Sequence, residues 1–224
     1  MIKKFFYAAC ILLLSMITNV CHAQPFIEEI NEFKKADSIS YPFPNENPIV
    51  FAGSSSFRKW TNMQEAFPNF PVINRGFGGS TLPDMIRYAN DIIIKYLPKQ
   101  VIIYCGENDL ASSDNITADT VYKRFKELYY LLRDELPRTE IDFVSIKPSP
   151  SRLKIQPEVI KANKLIRKFL GNQDKNKAYY IDVYSAMIND DGTIKKDLFI
   201  EDNLHMNEKG YAIWQKIIER ELKK

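Results

Sequence analysis

The chain has 224 residues and a formal net charge of +3 at pH 7, and 45% of its residues are hydrophobic. This length and composition fit one globular domain with a continuous buried core. So small a net charge gives no electrostatic reason to expect a nucleic-acid partner.

The first 23 residues have the pattern of an export signal. Lys3 and Lys4 precede an apolar run over residues 5–20. In the segment Cys21-His22-Ala23, Cys21 and Ala23 are small residues at the two positions that a signal peptidase recognises. We expect cleavage after Ala23 and export to the periplasm or the medium, with no stable membrane anchor left. An uncleaved anchor is the alternative, although about 16 apolar residues are few for a bilayer span of about 20. Lipidation at Cys21 is disfavoured because residues 18–20 are a poor lipid-attachment context.

Residues 24–48 are predicted to form a short N-terminal helix followed by a linker. The helix is expected over residues 26–39 and is amphipathic. Pro42, Pro44 and Pro48 exclude regular structure from the linker. The predicted organisation is therefore a signal peptide (1–23), a helix and linker (24–48) and one main domain (49–224).

From residue 49 onward, short apolar strands alternate with amphipathic helices. The clearest helix begins at Thr117, carries apolar residues at steps of three and four, and ends before Pro137. Continuously apolar strands between helices indicate a parallel sheet covered on both faces, an α/β protein with a three-layer α/β/α sandwich and five parallel strands. The strands are predicted at 49–52, 72–74, 101–104, 141–146 and 179–183, and the helices at 81–96, 117–136, 157–170 and 207–222.

Cys105 follows the third predicted strand and would be the single cysteine left after cleavage. An intramolecular disulfide would then be impossible, which export permits. The apolar pattern before Cys105 favours a buried structural thiol over a reactive nucleophile.

Ligand sites in such folds lie beyond the carboxyl ends of the strands, and four segments near those ends carry glycine and polar residues. Each alone is a weak signal, because a Gly-Ser-Ser-Ser turn is usually only a turn and a lone histidine is usually structural. Their joint occurrence at one edge of a sheet is a much stronger signal. The segments are Gly53-Ser54-Ser55-Ser56, residues 74–80 (Asn-Arg-Gly-Phe-Gly-Gly-Ser), Gly106-Glu107-Asn108-Asp109 and residues 201–205 (Glu-Asp-Asn-Leu-His).

These residue types match the needs of ester hydrolysis through a serine. A base must take the hydroxyl proton, and a third group must orient that base. His205 would be the single histidine after cleavage, and Asp202 precedes it by three residues, close enough for its carboxylate to bond the ring. The negative charge that develops on the substrate oxygen needs donors, which the backbone N–H groups of Ser55 and Gly79 and the Asn108 amide can supply.

At these residues the sequence resembles the SGNH hydrolases, also called the GDSL esterase/lipase family, over residues 49–214. Ser55 takes the place of the family's nucleophile, Gly79 and Asn108 take those of its oxyanion glycine and asparagine, and the Asp202 and His205 pair matches its last block. Ser54 replaces the aspartate that usually precedes the nucleophile. That aspartate is generally not the triad acid, so we expect activity to survive the replacement.

The resemblance implies a flavodoxin-like SGNH hydrolase fold and a carboxylic ester hydrolase. The pattern is most similar to the branch of platelet-activating-factor acetylhydrolase and bacterial carbohydrate O-acetylesterases, which implies short acyl groups, above all acetyl, on a small-molecule or carbohydrate ester. Neither a metal nor an organic cofactor is expected, since one cysteine and one histidine do not make a zinc site. The sequence does not predict an oligomeric state.

Two cationic residues are further candidates for substrate binding. Arg75 lies beside the glycine segment, and Lys147 follows the fourth predicted strand. An outward, salt-bridged arginine and a plain rigid connector are the respective alternatives.

Two other functions also stay open. One is a lysophospholipase or thioesterase for longer acyl chains, which the lack of an extended apolar lid segment disfavours. The other is a non-catalytic carbohydrate-binding protein on the same scaffold, against which the intact set of site residues argues.

Overall fold

The computed structural model describes residues 25–40 and 47–224. At its centre is a five-stranded parallel sheet, formed by β1 (Ile49–Gly53), β2 (Val72–Gly76), β3 (Gln100–Tyr104), β4 (Glu140–Val144) and β5 (Ala178–Ile181). The order of the strands across the sheet is β2-β1-β3-β4-β5. The chain adds β2 on one side of β1 and then crosses to add β3 on the other side, so the direction of winding changes between β1 and β3.

Helices cover both faces of the sheet and enclose two hydrophobic cores, which confirms the predicted three-layer α/β/α sandwich. Successive strand residues point to opposite faces: Val50 and Ala52 belong to one core, and Ile49 and Phe51 to the other. The helices are α1 (Ile27–Ile39), α2 (Ser55–Arg58), α3 (Met63–Ala66), α4 (Leu82–Arg87), α5 (Ala89–Ile92), α6 (Glu107–Ser112), α7 (Ala118–Glu135), α8 (Gln156–Gly171) and α9 (Glu208–Ile218). In the part of the chain that is described, none of them has both the length and the apolar character that a membrane span requires.

The helix predicted over residues 81–96 is wrong as a single element. The segment forms α4, α5 and a 3₁₀ turn at Ile94–Tyr96, with breaks at Tyr88 and Ile93. Three consecutive β-branched residues at 92–94 weaken a helix there. The break also allows Ile92 and Ile93 both to be fully buried.

The other predicted helices are confirmed to within a few residues. Thr117 caps α7 by accepting the backbone N–H of Thr120, and α9 gives way to a 3₁₀ turn at Glu219–Glu221. Cys105 is buried, as expected, and burial raises the pKa of its thiol well above the ordinary value. The predicted signal peptide and most of the predicted linker, residues 41–46, lie outside the described residues.

Asp142 is a buried acid in the middle of β4, with no exposed surface. Its Oδ2 atom accepts from Gln100 Nε2 at 2.7 Å, while its Oδ1 atom has no hydrogen-bond partner within the described residues. Burial, and after it the charge of Glu140, raises the pKa of Asp142 well above the ordinary value. The folded chain therefore keeps Asp142 protonated to a higher pH than the unfolded chain does.

We expect Asp142→Asn to stabilise the fold at neutral pH. The amide retains an acceptor for Gln100 and carries no charge to bury. The contribution of protonated Asp142 to the free energy of unfolding is fully present below the ordinary pKa of 3.8, and it is lost as the pH rises toward the raised pKa. The asparagine in the variant has no such proton to lose, so the variant should be more stable than the wild type above about pH 4. Its expected size is about 1–3 kcal/mol in the free energy of unfolding, measured by urea denaturation across pH.

The exposed Asp190→Asn variant is the control for this experiment. If the two variants changed stability equally at every pH, the buried position of Asp142 would have no bearing on stability.

Candidate active site

The turn after β1 requires glycine at one position. β1 ends at Gly53, whose φ is 156°, and a Cβ atom there would lie 2.0 Å from the carbonyl oxygen of Tyr104 on β3. Ser54 donates its backbone N–H to that same oxygen at 3.0 Å, and α2 then begins at Ser55. The chain thus turns directly beyond the carboxyl edge of the sheet, with Ser55 at the first position of the new helix.

Ser55, His205 and Asp202 lie in one hydrogen-bonded line. His205 Nε2 is 3.0 Å from Ser55 Oγ, and His205 Nδ1 is 2.5 Å from Asp202 Oδ2. Asn203, with a φ of 54°, adopts the left-handed conformation that asparagine tolerates, within the short loop that joins Asp202 to His205. The arrangement links a hydroxyl, an imidazole and a carboxylate in the order that proton transfer from the hydroxyl requires.

Asp202 is held ionised by its own loop. Partial burial opposes ionisation, but hydrogen bonds from the His205 ring and from the backbone N–H groups of His205 and Leu204 lower the pKa of Asp202 to about 2. The two backbone bonds, at 2.8 and 2.9 Å, both reach Oδ1. They leave Oδ2 for the ring and so fix which oxygen faces His205.

The glycine segment of residues 76–79, called the glycine loop below, lies against the turn at Gly53. Phe77 donates its backbone N–H to the Gly53 carbonyl oxygen at 2.9 Å, and Gly79 has a left-handed φ of 76°. Within the described residues, the backbone N–H groups of Ser55 and Gly79 donate to no other group. They are therefore free to donate to a ligand oxygen.

Asn108 lies on α6, a helix in a segment for which the sequence analysis predicted no helix. Its Nδ2 atom donates to the Ser80 carbonyl oxygen at 3.1 Å, and its Oδ1 atom accepts from both terminal nitrogens of Arg152 at 3.0 and 3.1 Å. In the reverse orientation, the amide oxygen would face the Ser80 carbonyl oxygen, and the amide nitrogen, a donor, would face the Arg152 guanidinium, which can only donate. One N–H of the amide remains for a ligand.

A buried group of polar side chains, called the Glu107 cluster below, lies behind Asn108. Glu107 accepts from Lys147 Nζ at 2.9 and 3.1 Å, and the Arg152 guanidinium lies 3.7 Å away. Glu107 also accepts from the hydroxyls of Tyr104 at 2.8 Å and Ser149 at 2.5 Å. The cluster consists of Tyr104, Glu107, Lys147, Ser149 and Arg152.

The charges of the Glu107 cluster do not cancel. Burial opposes ionisation of Glu107, but Lys147, Arg152 and the Ser149 hydrogen bond outweigh it and lower the pKa of this carboxyl. One anion and two cations leave a formal charge of +1 beside Asn108. The roles of Glu107 and Arg152 were not predicted from the sequence. The available signal was the pair of opposite charges Glu107 and Lys147, which each come three residues after the end of a neighbouring strand.

Neither candidate substrate-binding cation is available to a substrate. Lys147 is 1% exposed, and all three of its ammonium hydrogens are taken up by Glu107 and Ser149. Arg75 is 8% exposed and bonds to Asp37, to the Tyr96 hydroxyl and to the Asn74 carbonyl oxygen. The first is part of the Glu107 cluster, and the second anchors α1 to β2. A salt-bridged Arg75 was the stated alternative, although its side chain is buried rather than outward.

In the described residues, no three side chains of the His, Cys, Asp and Glu types lie close enough together to hold a metal ion.

The family model of the GDSL-like lipase/acylhydrolase family matches residues 37–213. Among solved structures, the chain is similar to a GDSL-like lipase from Bacteroides thetaiotaomicron, at 20% identity over 86% of this chain and 96% of that one, with a TM-score of 0.70. It is also similar to a protein from Streptococcus pneumoniae provisionally named a platelet activating factor, at 19% identity over 88% and 92% of the two chains, with a TM-score of 0.74.

A third similar structure is a variant of an acetyl-xylooligosaccharide esterase from Geobacillus, at 14% identity over 80% of this chain and 95% of that one, with a TM-score of 0.63. At such identities these similarities concern the fold. No curated protein matches the sequence.

We expect Asp202→Asn to trap the histidine in the wrong tautomer. The backbone N–H groups of Leu204 and His205 would hold the amide oxygen, so the amide nitrogen would face His205 Nδ1. Nε2 would then carry the proton and could not accept one from Ser55. The expected result is a fall in kcat of at least about 100-fold, measured by steady-state ester hydrolysis.

Asp197→Asn is the matched control, since the Asp197 side chain is exposed and pairs with Lys209 at 3.4 Å. Equal kcat values for the two variants would contradict a role of Asp202 in orienting His205.

Proposed function

The chain belongs to the GDSL-like lipase/acylhydrolase family and is a carboxylic ester hydrolase, and on that premise we propose that it hydrolyses short-chain O-esters, chiefly acetyl esters of carbohydrates, through Ser55, His205 and Asp202. The observation that carries the proposal is the 3.0 Å contact between Ser55 Oγ and His205 Nε2. It joins residues 150 positions apart in the sequence beside two unoccupied backbone donors.

In the first half of the reaction, His205 Nε2 takes the Ser55 hydroxyl proton while Oγ attacks the acyl carbon. The ionised Asp202 holds the ring and stabilises the imidazolium that forms. When the tetrahedral intermediate collapses, the bond from the acyl carbon to the alcohol oxygen breaks. The alcohol leaves with the proton from Nε2, and an acyl-enzyme on Ser55 remains.

In the second half, a water molecule gives a proton to Nε2 and attacks the acyl-enzyme. Collapse of this second intermediate returns the proton to Ser55 Oγ and releases the carboxylic acid. The products balance as one ester and one water giving one acid and one alcohol. No step in this scheme needs a metal or an organic cofactor.

The negative oxygen of each intermediate would be met by three donors: the backbone N–H groups of Ser55 and Gly79 and the free N–H of Asn108. Removing one such donor in a serine hydrolase typically costs about 2.7–4 kcal/mol of transition-state stabilisation. Arg152 strengthens the third donor, because two hydrogen bonds to the amide oxygen withdraw electron density from the amide nitrogen.

The substrate class rests on the resemblance to short-chain acyl esterases and on the acetyl-xylooligosaccharide esterase among proteins of similar fold. The proposal also includes export of the mature chain, based on the pattern of residues 1–23. Polymeric carbohydrate esters are substrates that an exported enzyme would meet.

The proposal is tested with nitrophenyl acetate and with Ser55→Ala and His205→Ala. Each variant should lose at least about 1,000-fold in kcat, because the proton-transfer line is broken. Ser54→Ala is the matched control and should retain most activity, since Ser54 lies one residue outside the line. Turnover at the wild-type level by both Ser55→Ala and His205→Ala would disprove the mechanism.

The same protein, assayed on nitrophenyl esters of increasing chain length and on acetylated oligosaccharides, tests the substrate class. We expect kcat/KM to be highest for acetyl and acetate to be released from the oligosaccharides. A maximum at eight or more carbons would favour the longer-chain alternative. Absence of labelling by a fluorophosphonate would favour the non-catalytic alternative.

We expect Arg152→Gln to lower kcat about tenfold with little change in KM, because Asn108 loses a polarising partner while the substrate contacts remain. The matched control is Lys154→Gln, since Lys154 is exposed and pairs with Asp114 at the surface. Steady-state kinetics measure both variants. An unchanged kcat in Arg152→Gln would show that Asn108 needs no support from the Glu107 cluster.

A further inference from the structure

The first turn of α1 contacts both backbone segments that supply the proposed oxyanion donors. Glu29 Oε2 accepts the backbone N–H of Gly78 at 2.9 Å, and Glu29 Oε1 is 2.7 Å from Arg58 Nη1. Gly78 directly precedes Gly79 in the glycine loop, and Arg58 is the last residue of α2, which begins at Ser55. One carboxylate therefore joins the loop of one donor to the helix of the other.

The backbone N–H groups of Gly76 and Phe77 bond to Asn74 Oδ1 and to the Gly53 carbonyl oxygen, at 2.9 Å each, whereas the Gly79 N–H donates to no group within the described residues. Three of the four residues of the glycine loop are glycines, which lose more conformational freedom on folding than any other residue. Beyond its two neighbours in the chain, Gly79 has only Phe26 Cε1, at 4.0 Å, within 4 Å of the position that a Cβ would take. A charge-assisted hydrogen bond at Gly78 is thus a strong restraint next to an otherwise open position.

Phe26 shows that the start of α1 is docked on the glycine loop. Its ring packs edge-to-face on Phe77 with the ring centroids 5.3 Å apart. Its backbone adopts a left-handed φ of 67°, a conformation that is uncommon for residues other than glycine. The preceding carbonyl oxygen, of Pro25, accepts the Tyr88 hydroxyl at 2.6 Å. These contacts hold the strained turn against the loop.

The other end of α1 is anchored separately. Asp37 accepts from Arg75 on β2 at 2.5 Å and from Lys95 at 2.6 Å. Burial opposes ionisation of Asp37, but these partners lower its pKa below the ordinary value. The loss of Glu29 would therefore leave α1 attached, and the effect on the glycine loop can be separated from undocking of the helix.

We propose that Glu29 is a positioning residue for the ester hydrolysis, which keeps the Gly79 N–H at a fixed distance from the Ser55 N–H so that both donors meet one oxyanion. The inference rests on the proposed function, because it assigns Glu29 a role only if Ser55 and Gly79 act as proposed. Glu29 lies outside residues 37–213, the part of the chain that the family model matches.

Arg58 has a second role in this arrangement. A carboxylate close to an oxyanion would oppose the negative charge of the transition state unless it is neutralised. The ion pair with Arg58 supplies that neutralisation. Removal of Arg58 alone should therefore slow the reaction, and removal of Glu29 in the same chain should cost less than the sum of the two single losses.

The experiment compares Glu29→Ala, Glu29→Gln, Arg58→Ala and the double variant that combines Glu29→Ala with Arg58→Ala, all in the full chain. The readouts are kcat and KM for nitrophenyl acetate, the rate of Ser55 labelling by a fluorophosphonate, and the melting temperature. The matched control is Lys34→Ala, which breaks the 3.0 Å ion pair of the same helix with Asp91.

Glu29→Ala is expected to lower kcat and the labelling rate about tenfold, with KM within twofold of wild type and a melting temperature no lower than that of Lys34→Ala. Glu29→Gln keeps an acceptor for Gly78 and should recover part of the loss. Lys34→Ala should leave both rates unchanged. Additive losses in the double variant would overturn the role of the Glu29–Arg58 pair.

The proposal is overturned if Glu29→Ala has the same kcat as Lys34→Ala. It is also overturned if the fraction of unfolded Glu29→Ala protein accounts for the whole decrease in its rate. Ser55→Ala assayed in parallel separates the two levels of inference. An active Ser55→Ala would sink the proposed function. An inactive Ser55→Ala together with a fully active Glu29→Ala would sink only the role of Glu29.

Discussion

The site depends on three adjacent parallel strands that end at the same level of the sheet. Gly53 at the end of β1 pairs with Gly76 on β2 and with Tyr104 on β3, so the three strands end at one level. Ser55, Gly79 and Asn108 follow those ends by only two to four residues, which places all three at the same edge of the sheet. The close approach of β1 and β3 at Gly53 leaves no space for a side chain, so a substitution there would disturb both the sheet and the turn that leads to Ser55.

The Glu107 cluster places an ion pair inside the protein beside the candidate site. Lys147 and Glu107 are almost entirely buried, and burial of an ion pair is seldom a net source of stability. Its value here is orientation: the cluster includes Arg152, and Arg152 determines which end of the Asn108 amide points outward. α1 acts similarly on the opposite side, where Glu29 restrains the glycine loop. The proposed oxyanion donors are thus supported from two directions by charged groups, Arg152 and Glu29.

Several features followed directly from sequence periodicity. Continuously apolar strands predicted a sheet covered on both faces, and the stepwise apolar pattern from Val121 to Leu132 predicted α7. The prediction of one helix over residues 81–96 is wrong because the segment breaks at Tyr88 and at Ile93. Three consecutive β-branched residues weaken a helix at the second break, but local periodicity does not register the packing that the breaks allow. The burial of Arg75 and Lys147 could not be predicted for a related reason. A residue near the end of a strand is expected to be exposed. Arg75 and Lys147 are instead buried against Asp37 and Glu107, which come from distant segments of the chain.

The sequence by itself determined the fold class, the order of the strands and helices, and the residue types at the strand ends, because these depend on local periodicity and on the chemistry that each residue carries. Only the tertiary structure decided which charges pair and which donors stay free. The bond between Ser55 and His205, the restraint of Gly78 by Glu29 and the orientation of Asn108 by Arg152 join residues 150, 49 and 44 positions apart. Such contacts depend on how helices pack across the sheet, and no local pattern encodes that packing.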